Sequence, residues 1–237
     1  MGRAFEYRKE KKFKRWDAMA KNFTRIGREI ALAIIEGSAD PATNSKLRMA
    51  LQNAKGVQMP KERVEAAIKR ATSKDEGDFE ELVYEGYGPF GVAMMIDCAT
   101  DNPTRTVANI RMYFNRADGA MGTNGSVAFS FERKGQFKLE KEKINLDDIE
   151  LELIDGGAED IREEEGLYII TTSFTDFGHM QKKLEELGIE IKNAELVRLP
   201  QNLVELTDEQ MEKIYDLIDK FDEDDDVVSV FHNMKEE

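Results

Sequence analysis

The residues of this 237-residue chain with the clearest chemical potential are cations near its start. On a helix turning about 100° per residue, Lys14, Lys21, Arg25 and Arg28 share one stripe. It lies roughly 140° from an apolar stripe of Phe13, Trp16, Ala20, Phe23, Gly27, Ile30 and Ile34. Arg8, Lys9, Lys11 and Lys12 extend the positive field toward the N-terminus, and Arg48, Lys55, Lys61, Arg63, Lys69 and Arg70 add to it from later positions. Outward guanidinium and ammonium groups segregated from a core face are phosphate ligands, so nucleic acid is the implied partner. Arg105 and Arg111 form a second tier beside the Asp101-Asn102 turn, where a surface ion pair competes for them.

The distribution of charge makes this reading specific. Residues 1–74 hold 18 Lys and Arg against 8 Asp and Glu, whereas the remainder holds 16 against 40, so local balances of +10 and −24 make up the net −14. Screening over about 10 Å means that a partner meets the local field and not the total. The competing reading is a basic face docked on the acidic remainder, which leaves no positive surface free.

Other chemistry is weakly encoded. Gly86-Tyr87-Gly88-Pro89-Phe90-Gly91 has the letters of a dinucleotide fingerprint, but a β-rich run follows where a helix N-terminus would have to receive the pyrophosphate. It reads as a turn, and no nucleotide cofactor is implied. Asp222-Glu223-Asp224-Asp225-Asp226 lacks the glycine and glutamate of a calcium loop and reads as a solvated turn. His179 and His232 are remote in sequence from Cys98, which lies in an apolar strand as an inert thiol. No catalytic constellation, metal site, cofactor site or small-molecule substrate emerges, and the chain reads as a non-enzyme.

The elements that carry these residues follow from periodicity. The long first helix ends at Gly37 and Asp40-Pro41, Thr43 or Asn44 caps a second through Leu47, Leu51 and Ala54, and Pro60 opens a third with Val64, Ala67, Ile68 and Ala71 inward. A polar linker follows at 73–78. Beyond it, Glu81 to Tyr87 and Val92 to Cys98 form a hairpin, Asn102-Pro103 starts a helix with Val107, Ile110 and Phe114 inside, and Ser126 to Phe131 reads as a strand. From Gly135 to Pro200 the order is strand, helix, strand, strand, helix, strand, the last helix marked by Phe177, Met180, Leu184 and Leu187 before Gly188. Leu203 to Leu206 reads as a strand, Thr207 and Gln210 as a capping box, Met211, Ile214, Ile218 and Phe221 as a core face, and Val227 to Phe231 as a final strand.

Neither 79–133 nor 200–237 can close a layer alone. The expected fold is therefore an α+β multidomain one: a three-helix domain at 1–74, a discontinuous two-layer α/β domain of 79–133 plus 200–237, and a ferredoxin-like α/β domain inserted at 134–199. The lone cysteine fits a reducing compartment, and no apolar run is long enough to span a membrane, so a cytoplasmic protein is expected.

Several ordered motifs resemble one family: Phe23-Thr24-Arg25-Ile26-Gly27-Arg28-Glu29-Ile30, Asn53-Ala54-Lys55 through Met59-Pro60-Lys61, Ala67-Ile68-Lys69-Arg70, Tyr84-Glu85-Gly86-Tyr87-Gly88-Pro89, Thr100-Asp101-Asn102 with Arg105-Thr106, and Gly125-Ser126-Val127 with Phe131-Glu132-Arg133-Lys134-Gly135. The chain is similar across nearly its whole length to the YebC/PmpR family, related to the mitochondrial translational activator of cytochrome oxidase. The resemblance implies one helical and two α/β domains and a DNA-binding transcriptional regulator. It also implies an alternative, a ribosome-associated translation factor that binds ribosomal or transfer RNA and eases translation of proline-rich stretches. Three departures stand out: Arg3-Ala4-Phe5-Glu6-Tyr7-Arg8 at the start, Phe90 where glycine is common, and Thr104 where asparagine is common.

Overall fold

A computed structural model describes residues 21–73 and 79–235. The chain divides into two units, Met1–Glu76 and Gly77–Glu237.

In the first unit, helix α1 covers the described residues 21–36, α2 runs Ser45–Gly56 and α3 runs Lys61–Thr72. Their apolar spacing builds one core from Ile26, Ile30, Ala33, Ile34, Leu47, Ala50 and Ala54, against which Val64, Ala67, Ile68 and Ala71 of α3 pack partly buried. Asn44 fastens α1 to α2. Its Oδ1 accepts from the Leu47 N–H at 3.0 Å, while its Nδ2 donates to the carbonyls of Ala33 and Ser38 at 2.6 and 2.7 Å. A buried asparagine thus satisfies orphan groups at a helix end and a helix start together. The chain turns into α3 through Gln58, held at φ 56, and Pro60.

The second unit contains two four-stranded antiparallel sheets. The first has the order β3-β1-β2-β8, from β1 (Glu80–Tyr87), β2 (Ala93–Thr100), β3 (Ala120–Met121) and β8 (Val227–His232). Strand β2 is central and almost wholly apolar: Met94, Ile96 and Cys98, with Val92 just before the strand, point into a core with α4 (Pro103–Arg116) and α7 (Asp208–Asp222), and Ala93 and Met95 pack on Val127 and Phe131 behind it. Cys98 is a free, buried thiol. The second sheet has the order β5-β6-β4-β7, from β4 (Phe131–Glu140), β5 (Ala158–Glu164), β6 (Leu167–Ser173) and β7 (Ile191–Pro200), with α5 (Leu146–Asp155) and α6 (Phe177–Glu186) between strands. This is the ferredoxin-like arrangement expected from the element order, set between β3 and α7 in sequence. Arg198 of β7 reaches Asp97 of β2 at 3.1 Å and ties the sheets together.

Two expected strands are corrected. Ser126 to Phe131 is a loop with a short 3-10 turn at Ala128–Ser130, and the strand begins only at Phe131. The N–H groups of Val127 and Ala128 both donate to the carboxylate of Glu85, which removes them from any ladder. Leu203 to Leu206 contributes only an isolated bridge, Val204 with Met234. A further short strand, β3, pairs with the end of β1 and went unread in the sequence.

Candidate nucleic-acid interface

Helix α1 sorts its residues as its spacing requires. Ile26, Ile30, Ala33 and Ile34 are buried, and Lys21, Arg25 and Arg28 lie on the other side, Lys21 exposed and the two arginines half-buried. Arg25 lies 3.9 Å from Glu29 one turn on, a long contact between partly exposed groups and correspondingly weak. On α3, Arg63 and Arg70 are seven residues apart and share a side, and both are exposed, as are Lys61 and Lys69. The Arg63 guanidinium sits 5.4 Å from the centre of the Phe23 ring, so a cation of α3 is carried on an aromatic of α1. Lys55 is exposed at the end of α2, and Lys61 lies 3.6 Å from Glu65 with both groups largely in solvent.

Arg48 is spent differently. Its Nη1 donates to the carbonyls of Pro41 and Ala42 at 2.8 and 3.1 Å, bracing the connection between α1 and α2. Arg8, Lys9, Lys11, Lys12 and Lys14, with Phe13, Trp16 and Ala20, lie outside the described residues. The helical unit therefore brings Lys21, Arg25, Arg28, Lys55, Lys61, Arg63, Lys69 and Arg70 to its surface.

The second-tier arginines separate. Arg105 bridges Asp101 and Asp226, its Nη2 lying 2.9 Å from each. Asp226 is buried and also accepts from the hydroxyls of Thr106 and Thr100 at 2.7 and 3.2 Å. Asp224 accepts from Asn109 and Tyr113, and Tyr113 is pushed up to about 12 by burial and then by this hydrogen bond. The acidic run at 222–226 is thus no solvated turn. Two of its carboxylates fasten β8 to α4, because hydroxyl, amide and guanidinium donors more than a hundred residues upstream meet them there. Arg111 is exposed on α4.

Glu85 is a second buried acid, 4% exposed, whose carboxylate accepts from the N–H groups of Gly125, Val127 and Ala128 at 2.7 to 2.9 Å. Burial, the largest single influence, pushes its carboxyl up, but the three N–H donors and Arg198 together outweigh it and hold it below its ordinary value. Beside it, a Cβ on Gly86 would lie 2.7 Å from the Ala120 carbonyl and 2.8 Å from Cζ of Phe114, so only glycine fits.

The Gly86–Gly91 segment makes a turn and leads straight into β2, so no helix follows it in the chain as a dinucleotide fingerprint requires. No group of three or more His, Cys, Asp or Glu among the described residues could hold a metal ion, and no described helix is long and apolar enough to cross a membrane.

Residues 3–74 match the TACO1/YebC protein N-terminal domain, and residues 79–234 match the TACO1/YebC second and third domain. The chain belongs to the TACO1/YebC family. It is 54% identical to a protein of Cytophaga hutchinsonii and 52% identical to one of Parabacteroides distasonis, in each case over 100% of this chain and 98–99% of the relative. Both relatives bear the name "probable transcriptional regulatory protein". A solved structure, a conserved hypothetical protein from Aquifex aeolicus, is similar at TM-score 0.82 and 34% identity over 91% of this chain and 90% of that one. Within this TACO1/YebC chain, the Tyr84-to-Pro89 and Gly125-to-Val127 motifs prove to be two halves of one device, an acid on a strand and the loop of N–H groups it holds.

Proposed function

We propose that this TACO1/YebC chain is a non-catalytic cytoplasmic regulator of gene expression that binds nucleic acid, with DNA as its target, through the cations of its helical unit. The observation that carries the reading is the segregation on α1, where Lys21, Arg25 and Arg28 stand on the side opposite a buried stripe of Ile26, Ile30 and Ile34. Side chains so arranged cost the core nothing and meet phosphate oxygens as charge-assisted donors. The regulatory part of the reading is supported by relatives at 52–54% identity that are named for transcriptional regulation. The non-catalytic part rests on how the buried polar groups of the body are employed: Glu85 and Asp226 are saturated by structural partners and present no free acid or base to a cleft.

The test is crosslinking in cells, followed by sequencing of the bound nucleic acid, with ribosome sedimentation in parallel. Promoter-enriched DNA and no co-sedimentation is the expected result. Ribosomal RNA without promoter enrichment would transfer the assignment to a ribosome-associated translation factor that uses the same cations.

A further inference from the structure

A second surface, on the α/β body, has a different character. Helix α4 ends and α7 begins on either side of the β1–β2 turn. A Cβ on Gly119, just past α4, would lie 2.6 Å from the Tyr87 carbonyl, and one on Gly88 would lie 3.4 Å from Cδ1 of Ile214 on α7. At the tip of this turn Phe90 holds φ 62 and ψ 15, a left-handed backbone that bulky residues rarely adopt, and its ring is 43% exposed. The ring is therefore neither buried for stability nor placed where its backbone is relaxed. Such strain, when the surroundings enforce it, gathers at working surfaces.

The charges around it are not tied to carboxylates, a condition they share in the described body with Arg133, Arg162 and Lys192. Lys134, Lys138, Lys143, Lys183 and Arg198 each contact a carboxylate. Lys213, Arg111 and Arg116 pair with no carboxylate among the described residues. Lys213 Nζ lies 5.6 Å from the centre of the Phe90 ring, and Arg111 and Arg116 are exposed along the last turns of α4, lining a shallow groove with Met112 and Asn115. An exposed ring with Lys213 over it, on a turn against which the segment just past α4 packs, complements a ligand with a flat π-face and an anionic backbone. Double helix offers no free base face, so the occupant is an unpaired strand.

We propose that this end of the first sheet is a second nucleic-acid contact, in which Phe90 stacks an unstacked base while Arg116, Arg111 and Lys213 hold the adjoining phosphates. It deepens the reading of the helical unit, and it can be tested apart from it. The full-length chain is titrated against a fluorescent single strand of mixed sequence about ten nucleotides long and against a duplex of the same sequence. The informative variant is Phe90→Gly, because glycine relieves the left-handed strain, and an unchanged melting temperature shows that the turn is intact.

Single-strand affinity should fall roughly tenfold or more, the fold-change that stacking one base on an aromatic ring is worth. Duplex affinity should stay within about twofold, since its bases offer no free face. Arg111→Glu with Arg116→Glu should also weaken the single strand and reduce its salt dependence. In a Lys21→Glu, Arg25→Glu, Arg28→Glu background the residual single-strand binding should keep its sensitivity to Phe90→Gly, which separates failure of this surface from failure of the helical one. Unchanged single-strand affinity in Phe90→Gly, equal losses on strand and duplex, or a wild type that binds no single strand would each overturn the proposal.

Discussion

The helical unit leaves several of its cations exposed, although Lys46 pairs with Glu36, whereas the α/β body ties most of its cations to carboxylates. In the body, Lys134 lies 2.7 Å from both Glu132 and Glu159, and Lys143 is pushed up to about 12 by hydrogen bonds to Glu140 and Glu190. In the helical unit Lys61 lies 3.6 Å from Glu65 and Arg25 3.9 Å from Glu29, and Lys55, Lys69 and Arg70 stand exposed. A cation already hydrogen-bonded to a carboxylate must break that contact before it meets a phosphate, whereas an exposed one need only displace the counterions condensed on the nucleic acid. The net charge of −14 conceals this division, because affinity for a polyanion depends on where uncommitted charge is placed.

Breaking the comparison at its strongest point means reversing α1. Lys21→Glu with Arg25→Glu and Arg28→Glu should lower nucleic-acid affinity by about 10³-fold at low salt, measured by anisotropy. Thermal unfolding should move far less, by about 1 kcal/mol or under, since Lys21 is exposed and ion pairs of partly exposed arginines contribute little to stability. The body should show the reverse. Glu85→Ala leaves three N–H groups without their acceptor and should destabilise by about 3 kcal/mol in urea unfolding, with unchanged affinity in the helical unit.

The same acid sets a pH dependence. Because the folded protein holds the Glu85 carboxyl below its ordinary value of 4.5, its contribution is full above that value and is lost as pH falls through the lowered one. Glu85→Gln should flatten the acid limb of the stability–pH curve. Asp226→Asn, which weakens the bonds from Arg105, Thr100 and Thr106, should cost about 2 kcal/mol, again with binding intact. The smallest effect is expected for Arg63→Ala, about 0.5 kcal/mol from its exposed contact with Phe23, read by thermal melting.

Much of the scaffold was legible because it rests on local rules. The cap at Asn44, the Thr207–Gln210 capping box and the proline start of α4 each need only a few neighbouring residues, and all three are present. The ferredoxin-like sheet follows from element order alone. What escaped depends on distant partners. Asp226 looks like one more solvated acid until Thr100, Arg105 and Thr106 are folded onto it. The Ser126 to Phe131 segment has strand-like residues, but Glu85, some forty residues away, claims its N–H groups. Arg48 has the composition of a phosphate ligand and the position of a loop brace, and only the carbonyls of Pro41 and Ala42 distinguish the two.

The most direct measurement is a salt titration of nucleic-acid binding by the full-length wild-type chain. If six to ten outward cations of the helical unit release counterions on binding, affinity should fall roughly 10³- to 10⁵-fold between about 50 and 200 mM salt. An affinity that stays flat across that range would contradict the reading of the helical unit as a phosphate-binding surface.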